Sequence, residues 1–214
     1  MRFLITAGPT REPIDPVRYL SNRSSGKMGY AIAQAALETG HQVVLISGPV
    51  NLTPPPGATL VPVVTSDDMF DAVHRNLKHC DLLVMCAAVA DYRPARFAPQ
   101  KIKKGNKAIS IDLVPTRDIL LSLPKQHRQF LVIGFAAETN DIEKYALQKL
   151  LAKNCDIIVA NDVATGMEGD ENEVTILSRD GKKQKISRAP KKNIARELIK
   201  IFLNLCEKRL TKKM

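Results

Sequence analysis

Residues 2–48 read RFLITAGPTREPIDPVRYLSNRSSGKMGYAIAQAALETGHQVVLISG. Residues 2–7 have the apolar composition of a strand and end at a Gly-Pro turn, and a polar loop continues to Ser25. A helix with an apolar face follows from about Gly26 and stops at Gly40. Residues 42–47 form a second apolar run, which is typical of a buried parallel strand. This stretch therefore predicts a strand–helix–strand unit.

The alternation of strands and helices continues along the chain. We predict further strands at residues 60–64, 81–86, 109–113, 130–135 and 156–160, and helices at residues 66–77, 116–123, 141–153 and 189–209. Ser66 or Asp67 is expected to cap the second helix, and Thr116 the third. A hairpin is expected at residues 170–188, because Asp180-Gly181 suits a type I′ turn. The pattern predicts an α/β fold in a single domain, residues 1–214, with a mostly parallel sheet and helices on both faces.

Two features of this pattern suggest where a ligand would bind. Residues 87–109 have no helical period and are too long for a simple connection, so we interpret residues 87–113 as an active-site loop or an interface arm. Segments 8–10, 87–93 and 136–139 each follow a predicted strand. Because parallel sheets bind ligands beyond the carboxyl ends of their strands, we expect these segments to meet at one site.

The composition narrows the class of protein. Hydrophobic residues make up 44% of the chain and charged residues 25%, as in ordinary soluble domains. No apolar run approaches the roughly 20 residues of a membrane helix, and residues 1–6 lack the pattern of a signal peptide. We therefore expect a cytoplasmic protein without a membrane partner. The four cysteines show no metal or disulfide spacing and are interpreted as buried apolar side chains.

The positive charge is concentrated at one end of the chain. Of the net +10, residues 179–214 carry 13 Lys and Arg against 3 Asp and Glu, so that the remainder is neutral. Phe202 is the only aromatic residue in that segment, and it lies on an apolar helical stripe. Because nucleic-acid binding also requires aromatics or a reading helix, we interpret the charge as a solvated face and do not expect a nucleic-acid partner.

The sequence Ser24-Ser-Gly-Lys-Met-Gly29 opens the first helix and is the first candidate site. Helix N-termini present free N–H groups and a positive dipole end to anions, so the segment suits a phosphate. Neither the P-loop pattern nor G-x-G-x-x-G is present. A serine cap with two packing glycines explains the segment equally well.

Further candidates each have a functional and a structural interpretation. Lys101, Lys103 and Lys104 would neutralise phosphate charge or form a solvated run. Asp91 would accept a ribose hydroxyl or stabilise a turn. Phe135 would form a wall against a nucleotide base or pack in the core. Lys149 and Lys153 are spaced i,i+4 on one helix face, which would bind an anion or face solvent. Asn161 directly follows a predicted strand, where ligand-facing polar residues collect.

Taken together, these segments resemble the phosphopantothenoylcysteine synthetase family, the ligase of coenzyme A biosynthesis. The matching stretches are ITAGPTREPIDPVRYLSN (5–22), SSGKMG (24–29), AAVADYRP (87–94), KIKK (101–104), GFAAET (134–139) and AND (160–162). The resemblance implies a Rossmann-like sheet with a small dimerisation extension, and therefore a homodimer. It also implies, for the bacterial type, CTP and Mg²⁺, which convert 4′-phosphopantothenate into an acyl-cytidylate that L-cysteine then attacks.

The resemblance also implies roles for particular residues. Asn22 and Lys101 match catalytic positions, and Arg18, Asn22, Ala87 and Ala88 match substrate-binding positions. Positions that match nucleotide contacts are Gly8, Ser24, Gly26, Gly29, Asp91, Lys101, Asp118, Ile119, Phe135, Lys149, Lys153 and Asn161. The resemblance does not identify metal ligands. Arg117 departs from the family, in which proline is frequent at this position, and is expected to alter the base pocket.

Two other functions were weighed against the ligase. A nicotinamide-dependent reductase on a Rossmann-like sheet would carry G-x-G-x-x-G after the first strand, where this chain has Ala-Gly-Pro-Thr. A basic nucleic-acid-binding protein would bind through the C-terminal helix in a salt-sensitive manner.

Overall fold

The computed structural model describes residues 1–126, 128–138, 140–162 and 169–211. Thr139, the last residue of the predicted ligand-facing segment 136–139, lies outside these ranges. The strands are β1 (Arg2–Ala7), β2 (Arg11–Pro13), β3 (Tyr19–Ser21), β4 (Gln42–Ser47), β5 (Thr59–Pro62), β6 (Leu82–Met85), β7 (Tyr92–Pro94), β8 (Leu113–Pro115), β9 (Leu131–Glu138), β10 (Ile157–Asp162), β11 (Glu171–Ser178) and β12 (Lys183–Pro190). The helices are α1 (Lys27–Glu38), α2 (Ser66–Asn76), α3 (Ile119–Ser122), α4 (Ile142–Ala152) and α5 (Lys191–Thr211).

One sheet organises the molecule, in the spatial order β5-β4-β1-β6-β9-β10-β11-β12. The strands from β5 to β10 run parallel, and β11 and β12 add an antiparallel edge. Along the chain, β4 lies beside β1 and β5 lies beside β4, toward one edge of the sheet. The next strand of the sheet, β6, lies on the other side of β1. This reversal creates a crevice at the carboxyl ends of β1 and β6, where doubly wound sheets bind ligands.

Each face of the sheet buries its own core. On one face, α1 packs against β1 and β4, and α5 packs against α1 and the β11–β12 edge, with Ile32, Phe202 and Phe3 fully buried. On the other face, α2, α3 and α4 cover the sheet through side chains such as Met69 and Leu150. The predicted class is therefore confirmed: an α/β, Rossmann-like, mostly parallel sheet with helices on both faces.

Two stretches of the chain differ from the predictions. Residues 11–21, predicted as a loop, contain the small antiparallel pair β2–β3. The strand predicted at residues 109–113 is wrong, since β8 begins only at Leu113 and pairs with β7. Ile109 and Ile111 are 63% and 40% exposed, so their alternation does not mark a core strand.

Two helix caps were also predicted at the wrong residues. Thr65, rather than Ser66 or Asp67, caps α2 in a capping box with Asp68. Asp118, rather than Thr116, caps α3 by accepting the Leu121 N–H at 2.9 Å. The hydroxyl of Thr116 instead donates to the Ala90 carbonyl oxygen at 2.7 Å. This bond connects the end of β8 to the loop after β6.

The C-terminal part of the chain carries an antiparallel hairpin and a run of basic residues. The stretch at 170–188, predicted as a hairpin, carries β11 and most of β12, joined at a turn in which Gly181 has a φ of 82°. Basic residues of the C-terminal segment pair with acidic residues elsewhere, as in Lys183–Glu143 and Arg196–Glu38. Within the described ranges, we find no helix with the length and apolar character needed to cross a membrane.

Candidate functional site

A cleft of about 690 Å³ opens at the carboxyl ends of the central strands. It collects most of the residues that the sequence singled out, from stretches far apart in the chain. The predicted residues that line it are Asn22, Ser24, Gly26, Gly29, Ala87, Ala88, Asp91, Asp118, Ile119, Phe135, Lys149, Lys153 and Asn161.

The floor of the cleft is formed by the loops that follow β1 and β6, which are hydrogen-bonded to each other. The Ala88 N–H donates to the Gly8 carbonyl oxygen at 2.9 Å, and the Thr10 N–H donates to the Ala88 carbonyl oxygen at 3.2 Å. The buried Thr10 hydroxyl accepts the Ala90 N–H at 3.0 Å. Since the half-buried Ala87 and Ala88 have short side chains, a ligand can approach this floor closely.

The N-terminus of α1 forms one wall. Gly26 precedes the helix with a φ of 74°, a left-handed conformation that favours glycine, and no side chain caps the helix. A β-carbon on Gly29 would lie 2.6 Å from the Ala7 β-carbon, so glycine is what allows α1 to start directly beside β1. The first N–H groups of α1 therefore face the cleft, with no acidic residue in the first turn. This arrangement attracts anions.

Asn22 lies at the mouth of the cleft and is held by the floor. Its amide nitrogen donates to the Ala88 and Val89 carbonyl oxygens at 3.2 and 3.0 Å. These two bonds use both N–H groups of the amide, so its oxygen remains as the group that can accept a hydrogen bond from a ligand.

The opposite wall carries Lys149 on α4 and Lys153, which directly follows the last residue of that helix. The Lys149 ammonium donates to the Phe135 carbonyl oxygen at 2.7 Å. Burial lowers the pKa of Lys149, although the charges of Glu138 and Asp91 oppose that shift. Lys153 forms an ion pair with Asp118, the cap of α3. This wall therefore offers two cations, whereas the partly buried ring of Phe135 packs against the core on the α1 and α5 face of the sheet.

The remaining predicted residues of the cleft differ in how far they are buried. Burial would raise the pKa of the Asp118 carboxyl, but hydrogen bonds from Lys153 and the Leu121 N–H outweigh it and lower the pKa. Ile119 is 4% exposed and belongs to the core beneath α3. Asp91 is exposed, and Asn161 is half-buried at the end of β10. The structure thus brings these residues together, and their individual roles stay predictions.

Three predicted residues do not line the cleft. Gly8 lies behind Gly26, where a β-carbon on Gly26 would come 3.4 Å from the Gly8 α-carbon. Arg18 forms an ion pair with the buried Asp15 and donates to the Ile102 carbonyl oxygen at 2.8 Å. Lys101 is exposed on the arm of residues 87–113, next to that contact. For Arg18 and Lys101 to have their assigned roles, a movement of the arm or contact with a second protein chain would have to place them beside the ligand.

Several cleft residues had no individual role predicted from the sequence, although Lys27 lies inside the candidate segment Ser24–Gly29. Lys27 and Lys191 begin α1 and α5 and line the cleft, as does the buried Asn172. The sequence does not distinguish Lys191 from its neighbour Lys192. Both belong to the same basic run, but only Lys191 is buried and Lys192 is exposed. Asp15, which anchors Arg18, was also missed.

Arg117 lines the cleft but binds elsewhere. Its guanidinium pairs with Asp67 at 2.7 Å and with Asp71 at 3.0 Å, and it lies 3.9 Å from the centre of the Phe70 ring. Three contacts to α2 thus hold the charge of Arg117 away from the other cations.

The cysteines and the acidic residues show whether the cleft holds a reactive thiolate or a cluster of metal ligands. Cys80, Cys155 and Cys206 are buried and Cys86 is half-buried, and all four are free thiols. Burial raises the pKa of Cys86 to about 12, so this cleft residue stays a neutral thiol. Among the residues that the structure describes, no three His, Cys, Asp or Glu side chains cluster as a metal site.

Comparison with known proteins provides a second line of argument. The family model described as the DNA/pantothenate metabolism flavoprotein C-terminal domain matches residues 1–205. The chain is 46% identical over 200 residues to the coenzyme A biosynthesis bifunctional protein CoaBC of Bacillus subtilis (strain 168), covering 92% of this chain and 49% of that protein. It is 48% identical over 191 residues to the protein of the same name from Escherichia coli (strain K12), covering 86% and 47%. The chain thus spans about half the length of the curated relatives it matches.

A solved structure has the same architecture over its whole length. The crystal structure of the C-terminal domain of the coenzyme A biosynthesis bifunctional protein CoaBC aligns with a TM-score of 0.84 at 44% identity, covering 97% of this chain and 96% of that one. The fold described above is therefore shared with that domain.

Proposed function

Because this chain belongs to the DNA/pantothenate metabolism flavoprotein C-terminal domain family, we propose that it is a phosphopantothenate–cysteine ligase of coenzyme A biosynthesis. It couples 4′-phosphopantothenate to L-cysteine through an acyl-cytidylate and yields phosphopantothenoylcysteine, CMP and pyrophosphate. The names of the relatives support the pathway, and the domain match supports this half of the bifunctional protein as the source of the activity.

One observation supports the proposal most directly. A single cleft combines an uncapped helix N-terminus at Gly26 with the cations Lys149 and Lys153 on the facing wall. A triphosphate and a phosphorylated acid together carry several negative charges, and this cleft can neutralise them at both ends. A reductase would instead require a dinucleotide fingerprint after β1, and the family match leaves no support for that alternative.

The first step activates the acid. A carboxylate oxygen of phosphopantothenate attacks the α-phosphorus of CTP, and the bond to the bridging oxygen breaks as pyrophosphate leaves. Both reactants are anions, so the cleft must hold them together against their repulsion and stabilise the charge that moves to the leaving group. The N–H groups of α1 and the lysine ammoniums suit that task.

The second step forms the amide. The cysteine amine attacks the carbonyl carbon of the acyl-cytidylate, the carbon–oxygen bond to the phosphate breaks, and CMP leaves with the electron pair while the amine loses a proton. In this proposal Asn22 holds the acyl-nucleotide with its amide oxygen fixed by the floor of the cleft. Lys101 closes over the site from the arm, and Ala87 and Ala88 leave space for the acyl group.

Mg²⁺ belongs to the proposal as a companion of the nucleotide. It is usually held by one or two carboxylates together with substrate phosphates, so it does not require a cage of protein ligands. Asp91, exposed in the cleft, suits such a ligand. When bound, Mg²⁺ would neutralise part of the triphosphate charge.

Assembly and location complete the proposal. Exposed apolar side chains on the arm, among them Phe97 (53%), Ile109 (63%) and Leu113 (47%), favour a homodimer in which the arm contacts a second copy. Such a contact would also order Lys101. A cytoplasmic location remains an expectation from the sequence.

Pyrophosphate release tests the function directly. With 4′-phosphopantothenate, L-cysteine and Mg²⁺ present, we expect release that requires both the acid and the nucleotide, with CTP preferred over ATP, GTP and UTP. Failure to consume any nucleotide under these conditions would refute the ligase, and equal rates with all four would refute the CTP assignment alone.

Two variants test the residue roles. Asn22→Asp places a negative charge beside the acyl-phosphate and is expected to lower the rate by about 10²-fold or more. Lys101→Gln should lower kcat by at least about tenfold and change nucleotide affinity by less than about threefold. The matched control is Lys107→Gln, which removes an exposed charge from the same arm. If both variants keep full activity, the assigned roles are wrong.

A further inference from the structure

Two lysines to which the sequence analysis assigned no separate role line the cleft. Lys27 is the first residue of α1 and Lys191 is the first residue of α5. Both helices lie on the same face of the sheet, and both lysines line the cleft. Two helix N-termini therefore direct their positive ends, and one ammonium each, toward one end of the site.

Lys191 is buried to a degree that requires explanation. The residue is only 4% exposed and lines the cleft, and within the described part of the chain its ammonium forms no ion pair. The ammonium is not one of the fully buried unpartnered atoms, so it reaches the space of the cleft. Its backbone N–H already donates to the Asp170 carbonyl oxygen at 2.9 Å, so the side chain is not required to join α5 to β11. An ammonium in so largely buried a residue loses much of its hydration, and an anion bound in the cleft would compensate for that loss.

The surroundings of Lys191 favour an anion. Burial lowers its pKa, and the positive charge of Lys27 lowers it further, while the negative charge of Asp170 acts in the opposite direction. Lys27 pairs with the Asp170 carboxylate at 2.6 Å, but the Asp170 side chain is 86% exposed. A carboxylate this exposed can turn into water, which would free Lys27 for a stronger anion.

We infer that Lys27 and Lys191 bind the β- and γ-phosphates of the nucleotide and then the pyrophosphate that is released. This inference rests on the proposed function and extends it to the leaving group. Lys149, which donates to the Phe135 carbonyl oxygen, and Lys153 lie on the other side of the cleft and suit the nucleoside and its α-phosphate. The uncapped start of α1 lies at the Lys27 end, where its N–H groups add to the binding of the phosphate chain.

The assignment gives the two lysines a part in the first step. When the bond between the α-phosphorus and the bridging oxygen breaks, the electron pair moves onto pyrophosphate. Two ammoniums at that end stabilise this charge without transferring a proton. The same contacts oppose pyrophosphate release, so exchange with Asp170 would help the product to leave.

Binding measurements test the inference without requiring turnover. We would titrate the full chain with inorganic pyrophosphate, CTP and CMP by calorimetry, with Mg²⁺ present throughout. Lys191→Gln and Lys27→Gln should each weaken pyrophosphate and CTP binding by about tenfold or more and change CMP binding by less than about twofold. Lys192→Gln, the neighbouring exposed lysine of α5, should change none of the three.

Unchanged pyrophosphate affinity in Lys191→Gln and Lys27→Gln would overturn the inference, as would an equal loss of CMP binding. If thermal unfolding shows that Lys191→Gln is not folded, Lys191→Met replaces it. Lys27→Gln remains as an independent test. Lysine-dependent pyrophosphate binding in a chain that never consumes nucleotide would refute the ligase but leave this site intact. Full ligase activity with unchanged binding in the variants would refute only the site.

Discussion

Asp15 is a buried carboxylate that joins two segments far apart in the sequence. It accepts the N–H groups of Val17 and Arg18 at 2.9 Å and the Arg18 Nε at 3.0 Å. It also accepts the Ile102 N–H at 3.2 Å. Because Ile102 adjoins Lys101, this single side chain sets where the arm leaves the body of the protein.

The protonation of Asp15 should therefore affect stability. The hydrogen bond from Arg18 holds its pKa well below the ordinary value, against the opposing effect of burial. A carboxyl with a lowered pKa stabilises the fold above its unfolded pKa of about 3.9 and loses that contribution as the pH falls toward the folded value.

We predict that Asp15→Asn lowers the urea midpoint of unfolding at pH 7. The difference from the parent protein should narrow as the pH falls below about 4, since the carboxyl of the unfolded parent is then protonated. Asp112→Asn, at an exposed position on the arm, is the control and should leave the midpoint unchanged. A difference that is independent of pH would show that shape, rather than charge, makes Asp15 stabilising.

At the scale of an element, α2 shows how a cap depends on its neighbours. The Thr65 hydroxyl accepts the Asp68 N–H at 3.1 Å, and the Asp68 carboxylate accepts the Thr65 N–H at 2.9 Å. Ser66 is displaced from the cap because its N–H donates to the buried Glu12 at 2.8 Å. Its own hydroxyl is buried and has no partner among the residues described.

The two neighbouring hydroxyls should thus respond oppositely to alanine. Thr65→Ala should reduce the free energy of unfolding by about 0.5–2 kcal/mol, because a helix cap is lost. Ser66→Ala should be neutral or stabilising, because an unsatisfied buried hydroxyl is removed. Chemical denaturation of both variants measures the contrast, and a larger loss for Ser66→Ala would contradict the observed cap.

At the scale of the whole molecule, the arm is the least self-contained part of the fold. Its base is fixed by β7–β8 pairing and by the Ala98 N–H, which donates to the Ile14 carbonyl oxygen at 2.9 Å. Beyond the base, apolar side chains such as Phe97 and Ile109 face outward. Apolar surface of this kind favours contact with a second copy of the chain.

We predict that Ile109→Lys converts a dimer into a monomer, as measured by light scattering after size-exclusion chromatography. Activity should fall in parallel if the dimer contact orders Lys101. Leu151→Lys, which places the same charge at an equally exposed apolar position (62%) on α4, should leave the mass unchanged. A parent protein that is already monomeric would rule out this form of assembly.

The sequence predicted the site best where its residues belong to a continuous stretch. The start of α1 at Gly26 followed from Ser24-Ser-Gly-Lys-Met-Gly29, since helix signals act over a few residues. The place of Lys191 in the cleft was not predicted, because the residues around it are distant in sequence. Lys27 pairs with Asp170 across 143 positions, and the Lys191 backbone N–H donates to the Asp170 carbonyl oxygen. The link from Asp15 to Ile102, across 87 positions, was hidden for the same reason.

The sequence by itself determined the alternation of strands and helices, and with it the α/β class, because apolar periodicity reports burial locally. Only the tertiary structure decided that β6 lies beside β1, that Arg117 turns toward α2, and that Lys191 is buried in the cleft with Lys27. Those outcomes depend on which distant surfaces pack together, and the pattern along one segment carries no information about its partner.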